Sequence, residues 1–420
     1  MSPVRPTLQV IGERLDPEHH RLRDFLTRIA QPHEWYEAGS PEATGLLSRL
    51  AVDGAALPVV VDGEDVHTGA TVESLARAWK QSELPTRTQY DFLIVGAGPA
   101  GLAAAVYAAS DGLSTVVVER DVPGGQASHT SLIENFFGFP GGIGGAELAR
   151  LAGRQAEGFG AELVLLRGVV GGRFDDASLT VELEGELEIT GSVGLAAPGM
   201  DWRRLEVEGV DELLGRGIYY GAGRSEAAQC GGDEVVVVGA GNSAGQAVLN
   251  LGNAGAHVQM LIRGDRMGKT MSRYLVDRIA DHPLVDVNLR TQISAVHSDS
   301  GHLRAVTMVG ADGSSDTRDV SALFLCIGGL PRTGWCADAG VATDDAGYIL
   351  TGPDLLRAGQ RPRGWTLDRD PLALETGVPG LFAAGDVRHG STKRVGGAVG
   401  EGAMAAALAF RRLAELERTG

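Results

Sequence analysis

The most constraining feature of the sequence is the stretch from Tyr90 to Arg120, which reads YDFLIVGAGPAGLAAAVYAASDGLSTVVVER. It begins with an apolar run typical of a buried strand and turns through GAGPAG at 96–101 into an alanine-rich segment. A second β-branched run, Thr115–Val118, then ends at Glu119. Strand, glycine-rich turn, helix, strand and acid in this order form the βαβ fingerprint of a dinucleotide-binding fold. The stretch therefore predicts an α/β fold of the Rossmann type.

Each residue type in this fingerprint has a mechanical purpose. Gly96 permits the tight turn, Gly98 lets the backbone approach a pyrophosphate at the helix N-terminus, and Gly101 lets helix and strand pack closely. Glu119 follows Gly96 by 23 residues, where a carboxylate can accept hydrogen bonds from both hydroxyls of an adenosine ribose. The turn therefore predicts a bound dinucleotide that contains adenosine.

Composition and charge limit the classes of partner. The chain has 420 residues, of which 43% are hydrophobic, and this is enough for several globular domains. With 37 basic and 54 acidic residues, the net charge of −17 disfavours binding to nucleic acid and to anionic membranes. The sequence has no apolar run long enough to span a membrane, and MSPVRPTLQ does not resemble a signal peptide. We expect a soluble cytoplasmic protein without nucleic-acid or membrane partners.

Residues 1–82 are predicted to form a small domain of their own, followed by a linker at 83–89. Its apolar runs predict the order strand, helix, strand, helix, strand, turn and helix, with strands at Leu8–Ile11, His33–Tyr36 and Leu57–Val61 and helices at His19–Ala30 and Val72–Trp79. This order resembles the thioredoxin and glutaredoxin fold, with Pro58 at the place of that family's cis-proline. Where glutaredoxins carry Cys-x-x-Cys, the chain reads RLDPEH at 14–19 and has no thiol. The domain is therefore either a docking or dimerisation module or an inert structural extension.

A second dinucleotide fingerprint begins at Glu234. It consists of an apolar strand, the turn GAGNSA at 239–244, a helix, and a strand at Val258–Ile262. The position that corresponds to Glu119 is Ile262, and Arg263 follows it. An arginine can pair with a ribose 2′-phosphate, whereas an acid would repel it, so this turn predicts NADPH in preference to NADH. Alternatively, Arg263 belongs to a solvated basic turn together with Arg266, Lys269 and Arg273.

The C-terminal part contains GLFAAGDV at 380–387. This pattern predicts a strand that ends at Gly385 and Asp386, whose carboxylate can take the ribitol hydroxyl of a flavin. A helix led by Gly400-Glu401-Gly402 and ending near Glu417 is predicted to follow. Its N-terminus is expected to face the electron-rich pyrimidine edge of the isoalloxazine.

Residues 90 to about 418 resemble the low-molecular-weight bacterial thioredoxin reductases. The matching motifs are GAGPAG, GGQ at 124–126, IEN at 133–135, GAGNSA and GLFAAGDV. The resemblance implies an FAD lobe in two parts, 90–203 and 322–420, interrupted by an NAD(P)H lobe at 204–321. It also implies a homodimer and rotation of one lobe against the other. The expected fold is thus two Rossmann-like three-layer lobes preceded by a small thioredoxin-like domain.

The resemblance also assigns cofactor-binding residues. FAD is expected at the first turn, at the GGQ and IEN motifs and at the last segment, namely Gly96, Gly98, Pro99, Ala100, Gly101, Glu119, Arg120, Gly125, Gln126, Asn135, Gly385, Asp386, Arg394 and Val395. NADPH is expected at the second turn, namely Gly239, Gly241, Asn242, Ser243, Ala244 and Arg263. The family's second arginine in the NADPH motif is replaced by Gly264, which weakens the expected 2′-phosphate site.

The departure from this family concerns the chemistry. Thioredoxin reductases carry Cys-Ala-Thr-Cys-Asp ahead of the second fingerprint, whereas this chain reads GAGRSE at 221–226. The leading hypothesis is therefore an FAD-dependent NADPH oxidoreductase whose acceptor is not a disulfide but a ferredoxin or flavodoxin, a quinone, dioxygen or a small molecule. One alternative is thioredoxin reduction by another thiol route, through the N-terminal module or Cys230. A second alternative is a non-enzymatic, redox-sensing flavoprotein.

Two residues near the replaced thiol pair are candidates for catalysis. The segment Gly221–Glu226 is expected to lie close to the isoalloxazine, with Gly221, Ala222 and Gly223 leaving space that Tyr219 and Tyr220 could wall. Glu226 is then a candidate proton donor or acceptor, or alternatively a residue that caps a turn or faces water. Cys230 is either a single-thiol relay or a packing residue. Cys326 and Cys336 are expected to have no role in the chemistry, because neither has a neighbouring thiol.

Overall fold

A computed structural model describes residues 6–79, 84–174, 178–221 and 224–419 of the chain. Within residues 6–79 it contains β1 (Leu8–Gly12), α1 (Pro17–Arg28), β2 (His33–Glu37), α2 (Pro41–Arg49), β3 (Val59–Asp62), β4 (Asp65–His67) and α3 (Val72–Ala78). The sheet order is β2-β1-β3-β4, with β1 parallel to β2 and antiparallel to β3. The predicted alternation of strands and helices is confirmed. The Leu57–Pro58 peptide bond is cis, as expected.

Helix α1 begins two residues earlier than the sequence pattern predicted. The Asp16 carboxylate accepts hydrogen bonds from the backbone N–H groups of Glu18, at 2.9 Å, and of His19, at 3.1 Å. Pro17 occupies the first turn, where its fixed φ suits a helix and its missing N–H leaves no intrahelical bond unmade. The segment that stands in place of a thiol pair is therefore a capped helix start.

The structure describes the chain again from residue 84, and the first large sheet follows. Its elements are β5 (Gln89–Val95), α4 (Pro99–Ser110), β6 (Thr115–Val118), α5 (Gly145–Gly158), β7 (Glu162–Val164), β8 (Val169–Phe174), β9 (Leu179–Leu183) and β10 (Leu187–Ala196). The order is β7-β6-β5-β10-β9-β8. The alternation of apolar and polar residues between Glu162 and Thr190 is typical of antiparallel strands, and β8, β9 and β10 are antiparallel. Strand β7 departs from the antiparallel expectation for this segment, since it pairs in parallel with β6, and its Leu163 and Val164 side chains are both buried.

The chain then passes through a short strand, β11 (Met200–Trp202), into a second parallel sheet. The elements that follow are β12 (Ile218–Tyr220), α6 (Arg224–Gln229), β13 (Glu234–Val238), α7 (Asn242–Asn253), β14 (His257–Ile262), α8 (Arg273–Ala280), β15 (Val285–Leu289), β16 (Thr291–Asp299), β17 (His302–Gly310), β18 (Ser315–Asp319) and β19 (Ala322–Leu325). The order β12-β19-β13-β14-β15 is parallel throughout. Strands β16, β17 and β18 form a separate antiparallel sheet. The second βαβ unit is therefore present as predicted.

The C-terminal segment returns to the first sheet. Strand β20 (Gly329–Pro331) pairs with β11, β21 (Leu381–Ala383) pairs in parallel with β10, and α9 (Val395–Thr419) packs against α4. The prediction that Gly400-Glu401-Gly402 leads this helix was wrong, because α9 begins at Val395. Gly402 instead lies where α9 crosses α4, and a Cβ at this position would lie 2.0 Å from the Ala100 carbonyl oxygen. In the described ranges, none of the helices has the length and apolar character that crossing a membrane requires.

Candidate functional site

A cavity of about 390 Å³ lies where α4, α9 and the ends of β6 and β10 meet. We call it the first cavity. It is lined by most of the residues that the sequence assigned to FAD, namely Gly98, Pro99, Ala100, Glu119, Arg120, Gly125, Gln126, Gly385, Asp386, Arg394 and Val395. These residues come from opposite ends of the chain. The return of the C-terminal segment to the first sheet brings them together.

The glycines of the first turn have separate purposes. Gly98 caps α4 without any side-chain hydrogen bond, and a Cβ at this position would meet no protein atom within 4 Å. The N-terminal N–H groups of α4 are thus accessible from the cavity, as a pyrophosphate requires. Gly96 has φ +107°, and a Cβ there would lie 2.2 Å from the Ala197 carbonyl oxygen. Gly96 and Gly101 act through close packing and do not line the cavity.

Glu119 stands at the end of β6 and is buried. Its carboxylate accepts hydrogen bonds from the backbone N–H groups of Ala97, at 2.8 Å, and Asp121, at 3.0 Å. Burial raises the pKa of the Glu119 carboxyl above its usual range. The side chain therefore stabilises the glycine turn in addition to lining the part of the cavity where a ribose is expected.

At the other end of the first cavity, hydrogen bonds to a backbone carbonyl oxygen and to a carboxylate hold the lining residues in place. The Gln126 side-chain amide donates to the Met200 carbonyl oxygen at 2.9 Å. Glu401 accepts a hydrogen bond from Gly385 N–H at 2.7 Å and pairs with Arg388 at 2.7 Å. Burial raises the pKa of the neighbouring Asp386 carboxyl. The sequence pattern identified Asp386 as a lining residue. It did not predict that Glu401 holds the neighbouring backbone, because it placed Glu401 at the start of a helix.

The donors and the open glycine turn of the first cavity fit an FAD molecule. Asn135 is exposed and is not among the residues that line this cavity. The arrangement offers N–H donors for phosphate groups and carboxylates for the hydroxyl groups of a ribose and a ribitol chain.

The second glycine turn repeats the geometry of the first. Gly239 has φ +150°, and a Cβ there would lie 2.3 Å from the Cys326 carbonyl oxygen and 2.9 Å from the Ala244 Cβ. Gly241 caps α7 without a side-chain bond, and a Cβ at this position would meet no atom within 4 Å. The Asn242 side chain is held by Ser272, whose backbone N–H donates to Oδ1 at 2.7 Å. Ser243 is exposed. This turn fits the pyrophosphate of a second dinucleotide.

The basic residues after β14 differ in their surroundings. Ile262 is buried at the strand end and Arg263 next to it is exposed, so its guanidinium is accessible to a 2′-phosphate. Arg273 forms an ion pair with Asp277 at 2.6 Å, which offsets much of its charge. Arg266 and Lys269 are exposed. Arg263, Arg266 and Lys269 are thus all accessible, and Arg263 is the one that directly follows the strand end.

A second cavity, of about 280 Å³, lies between α1 and the start of the second sheet. We call it the module cavity. It is lined by Pro17, His20, Asp24, His129, Trp202, Leu214, Gly215, Ile218, Tyr219, Tyr220 and Glu226, and it shares His129 and Trp202 with the first cavity. Tyr219 and Tyr220 thus line a space beside the replaced thiol segment. The expectation for Ala222 and Gly223 lies outside the described residues.

The surroundings of Glu226 exclude one of the sequence-based alternatives, namely that this side chain faces water. It lies in the first turn of α6 and is only 6% exposed, so it does not face bulk water. It lines the module cavity and not the first cavity, and its Oε1 lies 3.7 Å from His20 Nδ1. Sequence reasoning missed His20 and Asp24. It gave no signal for them because they come from α1, about two hundred residues away in the chain.

The three cysteines are free and buried. Burial raises the pKa of the Cys230 thiol to about 11 and those of Cys326 and Cys336 to about 12. Arg14 Nη2 lies 3.8 Å from Cys230 Sγ but also 3.2 Å from the Asp233 carboxylate, which offsets its charge. The thiolate form that disulfide exchange requires is therefore disfavoured at all three positions.

Comparison with known proteins identifies the family. The model of the pyridine nucleotide-disulphide oxidoreductases matches residues 90–402. The chain is 33% identical over 331 residues to the thioredoxin reductase of Bacillus subtilis, which covers 79% of this chain and 96% of that protein. It is 32% identical over 334 residues to the thioredoxin reductase of Treponema pallidum, covering 76% and 95% of the two chains.

Solved structures agree with this assignment. The crystal structure of Lactococcus lactis thioredoxin reductase in the FR conformation superposes with a TM-score of 0.67 at 28% identity, over 78% of this chain and 99% of that chain. Thioredoxin reductase of T. acidophilum gives a TM-score of 0.67 at 26% identity, over 77% and 99%. Homologues in this family use FAD and NADPH. The chain therefore belongs to the pyridine nucleotide-disulphide oxidoreductase family, as a thioredoxin reductase-like flavoprotein oxidoreductase.

Proposed function

We propose that this oxidoreductase delivers electrons from NADPH, by way of FAD, to an acceptor that is not a disulfide. The proposal rests on the replacement of the family's thiol pair and on the burial of the three cysteines that this chain has. The family's Cys-x-x-Cys is replaced by GAGRSE at 221–226, and the three cysteines are buried, with pKa values raised to about 11 or 12. Bound FAD would supply two-electron transfer, and the turns at Gly98 and Gly241 would hold the two pyrophosphates.

The second candidate is reduction of a thioredoxin disulfide by another thiol route. The similarity to thioredoxin reductases favours this candidate over a non-disulfide acceptor. Against it stands Cys230, the first thiol after the replaced segment in the sequence, because its pKa of about 11 leaves little thiolate at neutral pH. A purely sensory flavoprotein is disfavoured by the second glycine turn, since a sensor has no need of a nucleotide there.

Residues 1–82 are proposed to be a thioredoxin-like module joined by a linker at 83–89. The strand order β2-β1-β3-β4, with a parallel β1–β2 pair and an antiparallel β3–β4 pair, supports this proposal. The boundary at 82 lies outside the described residues. The family match begins at residue 90, so the module lies outside it.

We assign the remaining chain to an FAD lobe at 90–203 and 322–420 and an NAD(P)H lobe at 204–321. The pairing of β21 with β10 and of α9 with α4 supports the two-part FAD lobe. A homodimer is proposed in addition. Large apolar side chains are exposed on α4, α5 and α9, namely Tyr107, Leu151, Phe159, Met404 and Phe410. Light scattering coupled to gel filtration tests the mass of the assembly.

Coenzyme choice tests the second turn. One charge-assisted hydrogen bond contributes about 1.5–3 kcal/mol, so Arg263→Ala should remove most of a preference for NADPH over NADH. Arg273→Ala is the matched control, because Arg273 already pairs with Asp277. Equal kcat/KM values for the two coenzymes in the wild type would show that Gly264 has removed the preference.

The acceptor is tested by anaerobic stopped-flow spectroscopy of the purified flavoprotein. NADPH is expected to bleach the visible absorbance of the flavin, because reduction removes the conjugation of the oxidised ring. The reduced protein is then mixed with oxidised thioredoxin or with non-thiol acceptors. Rapid reoxidation by a non-thiol acceptor, retained when Cys230 is replaced by serine, is the expected result. Reoxidation by thioredoxin alone, lost in Cys230→Ser, would establish the second candidate instead.

A further inference from the structure

Strands β14 and β15 end side by side at the edge of the second sheet where the adenosine end of NADPH is expected. The two strands are parallel, and their last paired residues are Ile262 and Leu289. Arg263 and Arg290 are the next residues along the chain, so both follow the same edge of the sheet. Ligands of open α/β sheets bind at the carboxyl ends of the strands. The fold therefore brings two arginines to the edge at which a coenzyme is expected.

A backbone hydrogen bond holds Arg290 beside the turn that follows β14. The Arg290 N–H donates to the Gly264 carbonyl oxygen at 2.9 Å, and the Arg290 carbonyl oxygen accepts from the Ala311 N–H at 2.9 Å. Arg290 has φ +53°, a left-handed conformation that arginine adopts less readily than glycine or asparagine. Gly264 stands where the resemblance to thioredoxin reductases implied a second arginine. Arg290 is thus bonded to the residue at which that arginine is missing.

The side chains of both arginines are accessible to a ligand. Arg263 and Arg290 are exposed, and neither forms an ion pair within the part of the chain that the structure describes. Two carboxylates belong to the adjoining turns. Asp265 is exposed, and Asp312 accepts hydrogen bonds from the Ser314 N–H and hydroxyl groups at 2.9 and 2.6 Å. Two guanidinium groups therefore remain available at this edge.

The charge of a ribose 2′-phosphate favours a site with more than one arginine. A phosphate monoester carries a charge of about −1.5 to −2 at neutral pH. Arg263 contributes one positive charge, and the exposed carboxylate of Asp265 in the same turn offsets it. The guanidinium of Arg290 restores a net positive charge. It also adds N–H donors in the paired arrangement that suits phosphate oxygens.

The other two basic residues of this segment differ from Arg290 in their placement. Thr270 forms a bridge with Gly241, and its hydroxyl group donates to the Ala240 carbonyl oxygen at 3.0 Å. Lys269 directly precedes Thr270, so it lies beside the second glycine turn, where the pyrophosphate is expected. Arg266 is exposed and lies between the strand end and this bridge in the chain. Its contribution therefore needs a variant of its own.

We propose that Arg290 is a specificity-determining residue for NADPH, which binds the ribose 2′-phosphate together with Arg263 and compensates for Gly264. The inference deepens the proposed function and rests on it for NADPH as the electron donor. The sequence pattern of the second fingerprint does not include Arg290, because this residue follows β15, the strand after the βαβ unit. Only the pairing of β14 with β15 brings it to the coenzyme edge.

Binding measurements test this contact without turnover. Isothermal titration calorimetry of the oxidised holoprotein with NADP⁺ and with NAD⁺ gives the ratio of the two dissociation constants. Arg290→Asn removes the guanidinium and introduces a residue that tolerates positive φ, and Arg290→Gly is a second variant with the same property. In both, the preference for NADP⁺ should fall by about tenfold or more, because charge-assisted hydrogen bonds to the 2′-phosphate are lost. The affinity for NAD⁺ should stay at the wild-type value.

Restoring an arginine at residue 264 tests the compensation directly. Within 4 Å, a Cβ at this position would meet the Ile262 Cγ2 atom, at 3.9 Å, so the turn has room for a side chain. In the Arg290→Asn background, Gly264→Arg should restore the lost preference for NADP⁺. Arg266→Ala is the matched control, since it removes an exposed arginine from the same segment, and it should change the ratio much less than Arg290→Asn. FAD content and thermal unfolding verify the fold of each variant.

The outcomes separate this inference from the proposed function. A wild-type ratio in Arg290→Asn and Arg290→Gly overturns the inference, and so does a larger loss of preference in Arg266→Ala. Failure of Gly264→Arg to restore the preference contradicts the compensation. These affinities do not depend on the electron acceptor. The proposed function fails separately, if the reduced flavin is reoxidised by thioredoxin alone.

Discussion

Buried or half-buried glutamates accept hydrogen bonds from backbone turns at several points around the first cavity. Glu119 accepts from Ala97 and Asp121 N–H groups, and Glu401 accepts from Gly385 N–H. Glu375, which is fully buried, accepts from Leu372 and Gly380 N–H groups at 2.8 and 3.0 Å and pairs with Arg369. Removing such an acceptor leaves buried N–H donors without a partner. The effect on stability then exceeds that of an ordinary hydrogen bond.

Glu119→Ala should lower both FAD content and stability. The buried N–H group of Ala97 loses its acceptor, at about 1–3 kcal/mol, the half-buried N–H group of Asp121 loses its acceptor too, and the expected ribose contact is lost. The ratio of flavin to protein absorbance and the thermal unfolding midpoint should both fall. Glu157→Ala on the exposed side of α5 is the matched control. An unchanged flavin ratio in Glu119→Ala would show that Glu119 holds neither the turn nor the cofactor.

Cys230 should be nearly inert to alkylation at neutral pH. Only the thiolate reacts, and the pKa of this thiol is raised to about 11 by burial. Because the thiol form predominates below that pH, the labelling rate with iodoacetamide should rise about tenfold per unit between pH 7 and 9. Mass spectrometry of the native protein gives the rate. Labelling at pH 7 as fast as that of a free cysteine would restore the single-thiol relay.

At the scale of elements, the crossing of α4 and α9 decides the geometry of the first cavity. Helix α4 presents its N-terminus to the cavity, and α9 contributes Val395 and Ala398 to the lining. Gly402 allows the two helices to approach, since a Cβ there would lie 2.0 Å from the Ala100 carbonyl oxygen. A glycine in the middle of a helix is unfavourable by about 0.5–1 kcal/mol relative to alanine. Gly402 therefore lowers the helix propensity of α9 but permits the close approach of α9 to α4.

Gly402→Ala should destabilise the protein and Gly400→Ala should not. The first methyl group would collide with backbone, which costs about 1–3 kcal/mol through displacement of the helices. The second would meet no atom within 4 Å, so improved helix propensity should leave stability equal or slightly higher. Thermal unfolding of the holoprotein measures both. Equal midpoints for the two variants would contradict the packing role of Gly402.

At the scale of the whole molecule, α1 and the loop before it connect the proposed N-terminal module to both of the proposed lobes. Arg28 bonds with Asp121 at 2.7 Å and with Ser128 at 3.0 Å, on the FAD side. Arg14 bonds with Asp233 at 3.2 Å, on the NAD(P)H side. Val122 packs into the core of the module together with Leu22 and Phe25. The module therefore bridges the segments expected to rotate against each other.

Replacing Arg14 and Arg28 together by alanine should release the module. Each lost charge-assisted bond weakens docking by about 1.5–3 kcal/mol. We expect a larger radius of gyration in small-angle X-ray scattering and faster proteolysis between the module and β5. Arg21→Ala is the matched control, because Arg21 pairs with Glu73 inside the module. Identical scattering of the double variant and the wild type would show that apolar packing alone holds the module.

The sequence predicted the parts of the fold that depend on local spacing. The two βαβ units, their glycine turns and the alternation of strands and helices in the module all follow from patterns within about thirty residues. The start of α9 was placed wrongly because Gly400 and Gly402 look like a helix boundary in isolation. Their purpose depends on α4, which lies about three hundred residues earlier in the chain.

By itself, the sequence determined that the protein binds two dinucleotides and lacks the paired thiols of the reductases that it resembles. Those conclusions need only residue types and spacing, since a glycine turn between a buried strand and a helix exposes N–H donors that suit a phosphate. Only the tertiary structure decided the surroundings of Glu226 and the existence of the module cavity. His20, His129 and Glu226 meet because three segments distant in sequence pack together. No local pattern encodes that proximity, because it results from the docking of α1 across both lobes.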